Sequence, residues 1–170
     1  MRLLFEIDTK DYNINGKKFI RPSVRSIIIK ENKVAMVHSL KYNYYKFPGG
    51  GIEEGENHNQ ALIRETLEES GLTIISESIK EYGYVHRIQK SELYDVFIQD
   101  NYYYLCDVED QIKTQNLDDY EFEEKFTLEF VNAKEVIDIN RKKNHGPKDQ
   151  NMIEREAKIL ELLIKEGLIS

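Results

Sequence analysis

The sequence predicts an α/β protein in which a mixed β-sheet is covered by helices on both faces. Strand-like segments stand on both sides of a central helix, a second amphipathic helix lies late in the chain, and tight-turn residues punctuate the strands. In order, Leu3 to Ile7 is a short strand, and Asp11 to Lys18 is a turn region with the hairpin dipeptide Asn15-Gly16 at its tip. Val24 to Lys30 and Val34 to Ser39 are strands joined by Glu31-Asn32-Lys33, a second hairpin. Tyr44 to Phe47 leads into a glycine loop, and the central helix follows, ending near Ser70. Leu72 to Ile79, Glu81 to Ile88 and Tyr102 to Val108 read as strands, and Glu109 to Tyr120 as a polar, acidic loop. Lys125 to Val131 is a strand, Ala133 to Ile139 a short helix and Asn140 to Lys148 a basic loop. Asp149 to Lys165 closes the chain as a helix, with Ile153, Ala157, Leu160 and Ile164 at helical spacing and Gly167 as its stop.

The central helix carries the chemistry. Its ends are encoded: Asn57 is an N-cap, Gln60 completes a reciprocal capping pair, and Ser70-Gly71 fits a left-handed stop. At ~100° per residue, Glu65, Glu68 and Glu69 share one sector, while Leu62, Ile63, Thr66 and Leu67 fall on the other side. Like charges at these spacings repel, so without a cation at least one of the acids has a raised pKa. The usual fate of such a run is a solvated helix face. Here Pro48-Gly49-Gly50-Gly51 precedes it, a backbone that can approach a ligand closely. Hard oxygen donors of this kind suit Mg²⁺ or Mn²⁺ beside substrate phosphates.

Composition narrows the class. The chain has 170 residues, enough for one domain spanning 1–170, with 40% hydrophobic and 32% charged residues. No apolar run is long enough to span a bilayer, and MRLLFEID lacks the pattern of a signal peptide. One cysteine, Cys106, excludes an intramolecular disulfide, so a cytoplasmic location is expected. The net charge of −7 argues against polymeric nucleic acid as a partner, though not against a small phosphorylated substrate.

The run Gly50, Glu56, Arg64, Glu65, Thr66, Leu67, Glu68, Glu69, Ser70, Gly71 and Leu72 resembles the signature of the Nudix hydrolases (MutT-like), G-x5-E-x7-R-E-U-x-E-E-x-G-U. Every charged and glycine position matches, and Thr66 alone departs, standing where an aliphatic residue is usual. The resemblance implies an α/β/α sandwich with a loop–helix–loop catalytic box. It implies Glu65, Glu68, Glu69 and the Gly50 carbonyl as metal ligands, and Arg64 as the residue that orients the glutamates through Glu56. It also implies a further acid from a distant segment, for which Glu123 and Glu124 are the candidates in the run from Asp118, with Glu121 behind them.

The implied reaction is metal-dependent hydrolysis of a pyrophosphate bond in a nucleoside diphosphate linked to a moiety X. The short chain, without an extended N-terminal domain, favours a nucleoside triphosphate, oxidised purine nucleotides included. A homodimer is compatible with the resemblance. Arg25, with Arg21 and Lys46 beside it in kind, is a candidate for phosphate contact, against the alternative of a solvent-facing strand residue. Tyr45 is a candidate for stacking on a base, as are Tyr42, Tyr44 and Tyr102 to Tyr104, against the alternative that they pack on the sheet. The four histidines show no metal-ligand spacing. Two other classes remain: a non-catalytic nucleotide-binding module of the same type, expected to have lost box acids, and an isopentenyl diphosphate isomerase, which needs a catalytic cysteine.

Overall fold

The computed structural model describes residues 1–170. Its strands are β1 (Leu3–Asp8), β2 (Lys18–Ile20), β3 (Ser23–Ile27), β4 (Ile29–Lys30), β5 (Lys33–Ser39), β6 (Tyr44–Lys46), β7 (Gly49–Gly51), β8 (Lys80–Gln89), β9 (Val96–Leu105) and β10 (Phe126–Val131). The helices are α1 (His58–Ser70), α2 (Asp119–Glu123), α3 (Ala133–Asn140) and α4 (Gln150–Lys165). One sheet runs β1-β8-β9-β3-β7, with β2 beside β9, and mixes parallel and antiparallel pairs. The second runs β10-β5-β4, with β6 on β5.

Strand alternation divides the interior into two layers. Val24, Ile28, Ala35 and Tyr104 point to one side and pack with Ala61 and Leu62 of α1. Ile27, Met36 and Tyr103 point to the other and pack with α3 and α4 through Val136, Ala157 and Leu160. The expected arrangement, a mixed sheet between helices, is present. No helix is long and apolar enough to cross a membrane.

Several local expectations change. Asn15-Gly16 makes a turn, Gly16 N–H donating to Asn13 O at 2.9 Å, but it closes no hairpin. The strands flanking it part company, β1 pairing in parallel with β8 and β2 with β9. The single strand expected from Val24 to Lys30 breaks at Ile28, where the chain passes from one sheet to the other. The turn that follows is a two-residue one, Glu31 and Asn32 both at positive φ (49° and 64°). Leu72 to Ile79 is not a strand; it makes one bridge, Ile74 to Val108, and a 3₁₀ turn at Ser76–Ser78. Its alternating Leu72 and Ile74 bury under α1 without joining a ladder. Strand β9 begins at Val96, earlier than Tyr102, and Gly49–Gly51, expected as loop, is a strand antiparallel to β3.

Strand β6 delivers Lys46 to the interior, and its free edge is closed by a side chain. The amide of Asn140, fully buried at the end of α3, accepts from Tyr45 N–H at 2.9 Å and donates to Tyr45 C=O at 2.9 Å, standing in for a neighbouring strand. Asn140→Ala strips both peptide groups of their partner. At about 1–3 kcal/mol for each unsatisfied buried group, a loss of about 2–4 kcal/mol is expected in urea unfolding. A midpoint equal to that of the unaltered protein would refute this role.

Candidate active site

Helix α1 begins as its sequence dictates. Asn57 accepts from Gln60 N–H at 2.8 Å while Gln60 accepts from Asn57 N–H at 2.9 Å, and Gly71 ends the helix at φ +80°. From its second turn Arg64 reaches back over the preceding loop. Its guanidinium grips Glu56 with two bonds, Nε at 2.6 Å and Nη2 at 2.8 Å, and Nη2 also donates to the Gly51 carbonyl at 3.2 Å. Nη1 meets Glu65 at 3.0 Å and Glu68 at 3.3 Å. The Arg64 bonds hold Glu56 down at about 2, well below the usual carboxylate range.

The strand before α1 brings glycine backbone against the acids. A Cβ on Gly49, at φ +154°, would lie 2.0 Å from the Val24 carbonyl oxygen. A Cβ on Gly50 would lie 2.4 Å from the Glu65 carboxylate, so Glu65 rests directly on that backbone. Glu65 is held above the usual carboxylate range by burial.

Glu69 is buried at 1% exposure. It receives Lys46 Nζ at 2.9 Å and the Gly49 N–H at 3.4 Å, and the Glu121 carboxylate acts on it from α2. Two carboxylates brought near one another resist ionising together. Burial first, then Glu121, pushes Glu69 up, while Glu121, helped by Glu69 and by the Asp118 N–H, ionises more readily than usual. Beside this pair opens a cleft of about 210 Å³, lined among others by Glu65, Glu121, Arg25, Lys46, Arg87 and Arg155.

A family model described as the NUDIX domain matches residues 20–155. The chain belongs to the Nudix family. Among its relatives is the 8-oxo-dGTP diphosphatase of Buchnera aphidicola subsp. Schizaphis graminum (strain Sg), 43% identical over 56 residues, which are 31% of this chain and 43% of that protein. The chain thus matches less than half the length of that relative. The RNA pyrophosphohydrolase of Sulfurovum sp. (strain NBC37-1) is 26% identical over 168 residues, 92% of this chain and 100% of that one. Among solved structures, one from a study of MutT from Aliivibrio salmonicida and Vibrio cholerae has a TM-score of 0.57 at 16% identity, covering 87% of this chain and 99% of that one. A NUDIX hydrolase from Nitrosomonas europaea has a TM-score of 0.57 at 15% identity, covering 85% and 90%. At these identities the likeness is one of fold.

The Nudix box therefore folds as a unit, and Arg64 contacts Glu56 as the signature implies. Of the apolar face of α1, Leu62 and Thr66 are buried as expected, Ile63 and Leu67 are only half-buried, and Ala61, Glu69 and Ser70 complete the buried side. Thr66, the departure from the signature, is fully buried, and its hydroxyl donates to Ser26 Oγ at 3.0 Å. So the acids do not share one solvent face; Glu69 points inward and Glu68 is the most exposed of the three.

The downstream acids are corrected too. Glu123 is exposed and pairs with Lys41 at 2.5 Å. Glu124 is turned to Ser39 (2.9 Å), Tyr44 (2.9 Å) and Lys148 (2.8 Å). Neither lines the cleft, whereas Glu121 does. Glu121 closes a capping box with Asp118 on α2, a three-residue spacing present in the sequence. Arg25 and Lys46 line the cleft as expected, but Tyr45 does not. It stacks on His38 at 4.0 Å and donates to Glu129 at 3.2 Å, because strand alternation turns it away from Lys46.

Arg87 and Arg155 were not among the sequence candidates. Their signal lies in charges at core-facing positions. Arg87 falls two residues after buried Val85, and the pair Arg155-Glu156 interrupts the apolar stripe between Ile153 and Ala157.

Because Glu69 is raised, the folded protein without a bound cation holds a proton that the unfolded chain releases in the ordinary carboxylate range. Stability is then fullest below that range and falls as pH rises toward and through the raised value, by up to about 1.4 kcal/mol per pH unit. In EDTA, urea midpoints of the unaltered protein should drop between about pH 5 and about pH 8 more steeply than those of Glu69→Gln. Parallel curves would exclude a buried proton at this pair.

Proposed function

We propose that this Nudix pyrophosphohydrolase cleaves a pyrophosphate bond in a nucleoside diphosphate linked to a moiety X. Its favoured substrate is a nucleoside triphosphate, oxidised purine forms included, and its ion is Mg²⁺ or Mn²⁺. The observation that carries this is the meeting, in one cleft, of box and downstream carboxylates with buried cations. Of the two named relatives, one name specifies 8-oxo-dGTP and the other RNA. The net charge of −7 favours the small nucleotide over a polymer.

The residues fit a hard divalent ion. No three carboxylates meet at one point, because Arg64 holds Glu65 and Glu68 while Glu69 turns to Lys46 and Glu121. The donor set is nevertheless all oxygen, and a dication would relieve the burial and the neighbouring Glu121 charge that hold Glu69 up. Glu68, Glu69, Glu121 and the Gly50 carbonyl would hold it. A bound ion of this kind polarises phosphoryl oxygens and lowers the pKa of water.

The chain's own residues do the rest. Glu65 takes the proton of the attacking water; it lines the cleft, burial raises its pKa toward the working range, and Arg64 fixes its direction. Arg64 and Glu56 position that carboxylate without touching substrate. Arg25 and Lys46 place positive charge where the phosphate chain lies. The bond to the bridging oxygen breaks and leaves two phosphorylated products. Cys106 is buried in the α1-side core, its thiol pushed up to about 12 by burial, and has no part in this cleft.

The test is a panel of nucleoside triphosphates, nucleoside diphosphate sugars and dinucleotides with Mg²⁺, scored as phosphate released after phosphatase treatment. Glu65→Gln should lower kcat by about 10²–10⁴-fold with KM little changed, as loss of a general base does. Glu69→Gln should lose both turnover and the rise in melting temperature that Mg²⁺ gives. A Glu69→Gln protein as active as the unaltered one on every substrate would sink the proposal.

A further inference from the structure

Three guanidinium groups gather at one part of the cleft, and their hydrogen bonds do not balance. Arg25, Arg87 and Arg155 all line it, at 8%, 7% and 0% exposure. Arg87 donates to Gln89 at 3.0 Å and to Asp149. Arg155 donates to Glu156 from Nε (3.4 Å) and Nη2 (3.3 Å), while its Nη1 is buried without a partner. Arg25 is the extreme case, since its buried Nε and Nη1 both lack any partner.

The acids within reach are already committed. Glu156 also accepts from Tyr103 OH at 2.6 Å and Phe47 N–H at 3.1 Å, and Asp149 also receives Gln89 at 2.8 Å and caps α4. Two carboxylates therefore serve three permanent cations. The cations feel one another, for Arg87 is brought down to about 10 by burial and then by the charges of Arg155 and Arg25. The remaining acids on the cleft wall, Glu65, Asp118 and Glu121, make no hydrogen bond to any of the three. A buried guanidinium without an acceptor is unfavourable unless something brings one.

We propose that Arg25, Arg87 and Arg155 form an anion subsite in this cleft, which takes a phosphoryl group of the substrate that the divalent ion does not hold. The inference rests on the reaction proposed above and deepens it. The substrate class is one with a phosphate beyond the pyrophosphate at the ion: a chain of three or more phosphates, or an X that is itself phosphorylated. A diphosphate carrying a neutral sugar leaves the subsite empty. Arg25 is the contact least tied to the fold, whereas Arg155 is tied through Glu156 to Tyr103 on β9 and to the Phe47 N–H.

The test separates the subsite from the reaction by working without metal. In EDTA the full chain is titrated calorimetrically with inorganic tripolyphosphate. Binding is expected for the unaltered protein and for Glu69→Gln, and Arg25→Gln should weaken it about tenfold to a hundredfold, as loss of charge-assisted hydrogen bonds does. Because Arg25 has no protein partner at Nε or Nη1, the melting temperature of Arg25→Gln without anion should equal or exceed that of the unaltered protein. With Mg²⁺, the ratio of kcat/KM for a nucleoside triphosphate over a nucleoside diphosphate sugar should fall about tenfold or more in Arg25→Gln. Undiminished tripolyphosphate binding in Arg25→Gln, no binding by the unaltered protein, or an unchanged ratio would each overturn the subsite. Arg25-dependent binding with no hydrolysis of any substrate would instead overturn the reaction and leave the subsite standing.

Discussion

The fork that Arg64 makes is the constraint on which the rest of the site depends. One guanidinium joins the loop, through Glu56 and the Gly51 carbonyl, to the helix, through Glu65 and Glu68. Glycine backbone and helix carboxylates are thereby locked at one spacing, with Glu65 resting on Gly50. A lysine there would supply charge but not four directed contacts, because its ammonium has no planar fork. The positive charge also lets several acids remain ionised close together, a condition that the acids alone would resist.

Around this clamp the molecule deals with buried charge in three ways. Glu56 is ionised and fully paired. Glu69 is buried against Lys46, and burial together with Glu121 holds it up in its protonated form. Glu156 sits in a buried network of a tyrosine, a peptide N–H and Arg155. The third arrangement specifies the core, since α4 cannot rotate or slide without stripping several buried donors. The first two are the places where a dication changes the balance.

What could be read from the sequence was what is local. The capping box at Asn57, the stop at Gly71, the existence of a hairpin after Lys30 and the signature itself all depend on neighbours within a few residues. What could not be read depends on distant partners. Gly49–Gly51 is a strand because β3 approaches its backbone closely, and glycine carries no propensity that announces this. Gln99-Asp100-Asn101 hid the first half of β9, where cross-strand partners rather than apolar alternation hold the ladder. In the acidic run from Asp118, one helical turn decides that Glu121 enters the cleft while Glu123 and Glu124 find Lys41 and Lys148. Arg87 on β8 and Arg155 on α4 are far apart in the chain, and only the fold brings them to one cleft.

The placement of Arg155 on the last helix makes the cleft a meeting point of nearly the whole chain. Its walls come from β3, β6, β7, α1, β8, β9, α2 and α4. The stretch that identifies the family occupies little of that perimeter. Completeness of the box and completeness of the pocket are thus separate properties. Every signature residue can be kept while a change on the final helix alters the lining of the pocket.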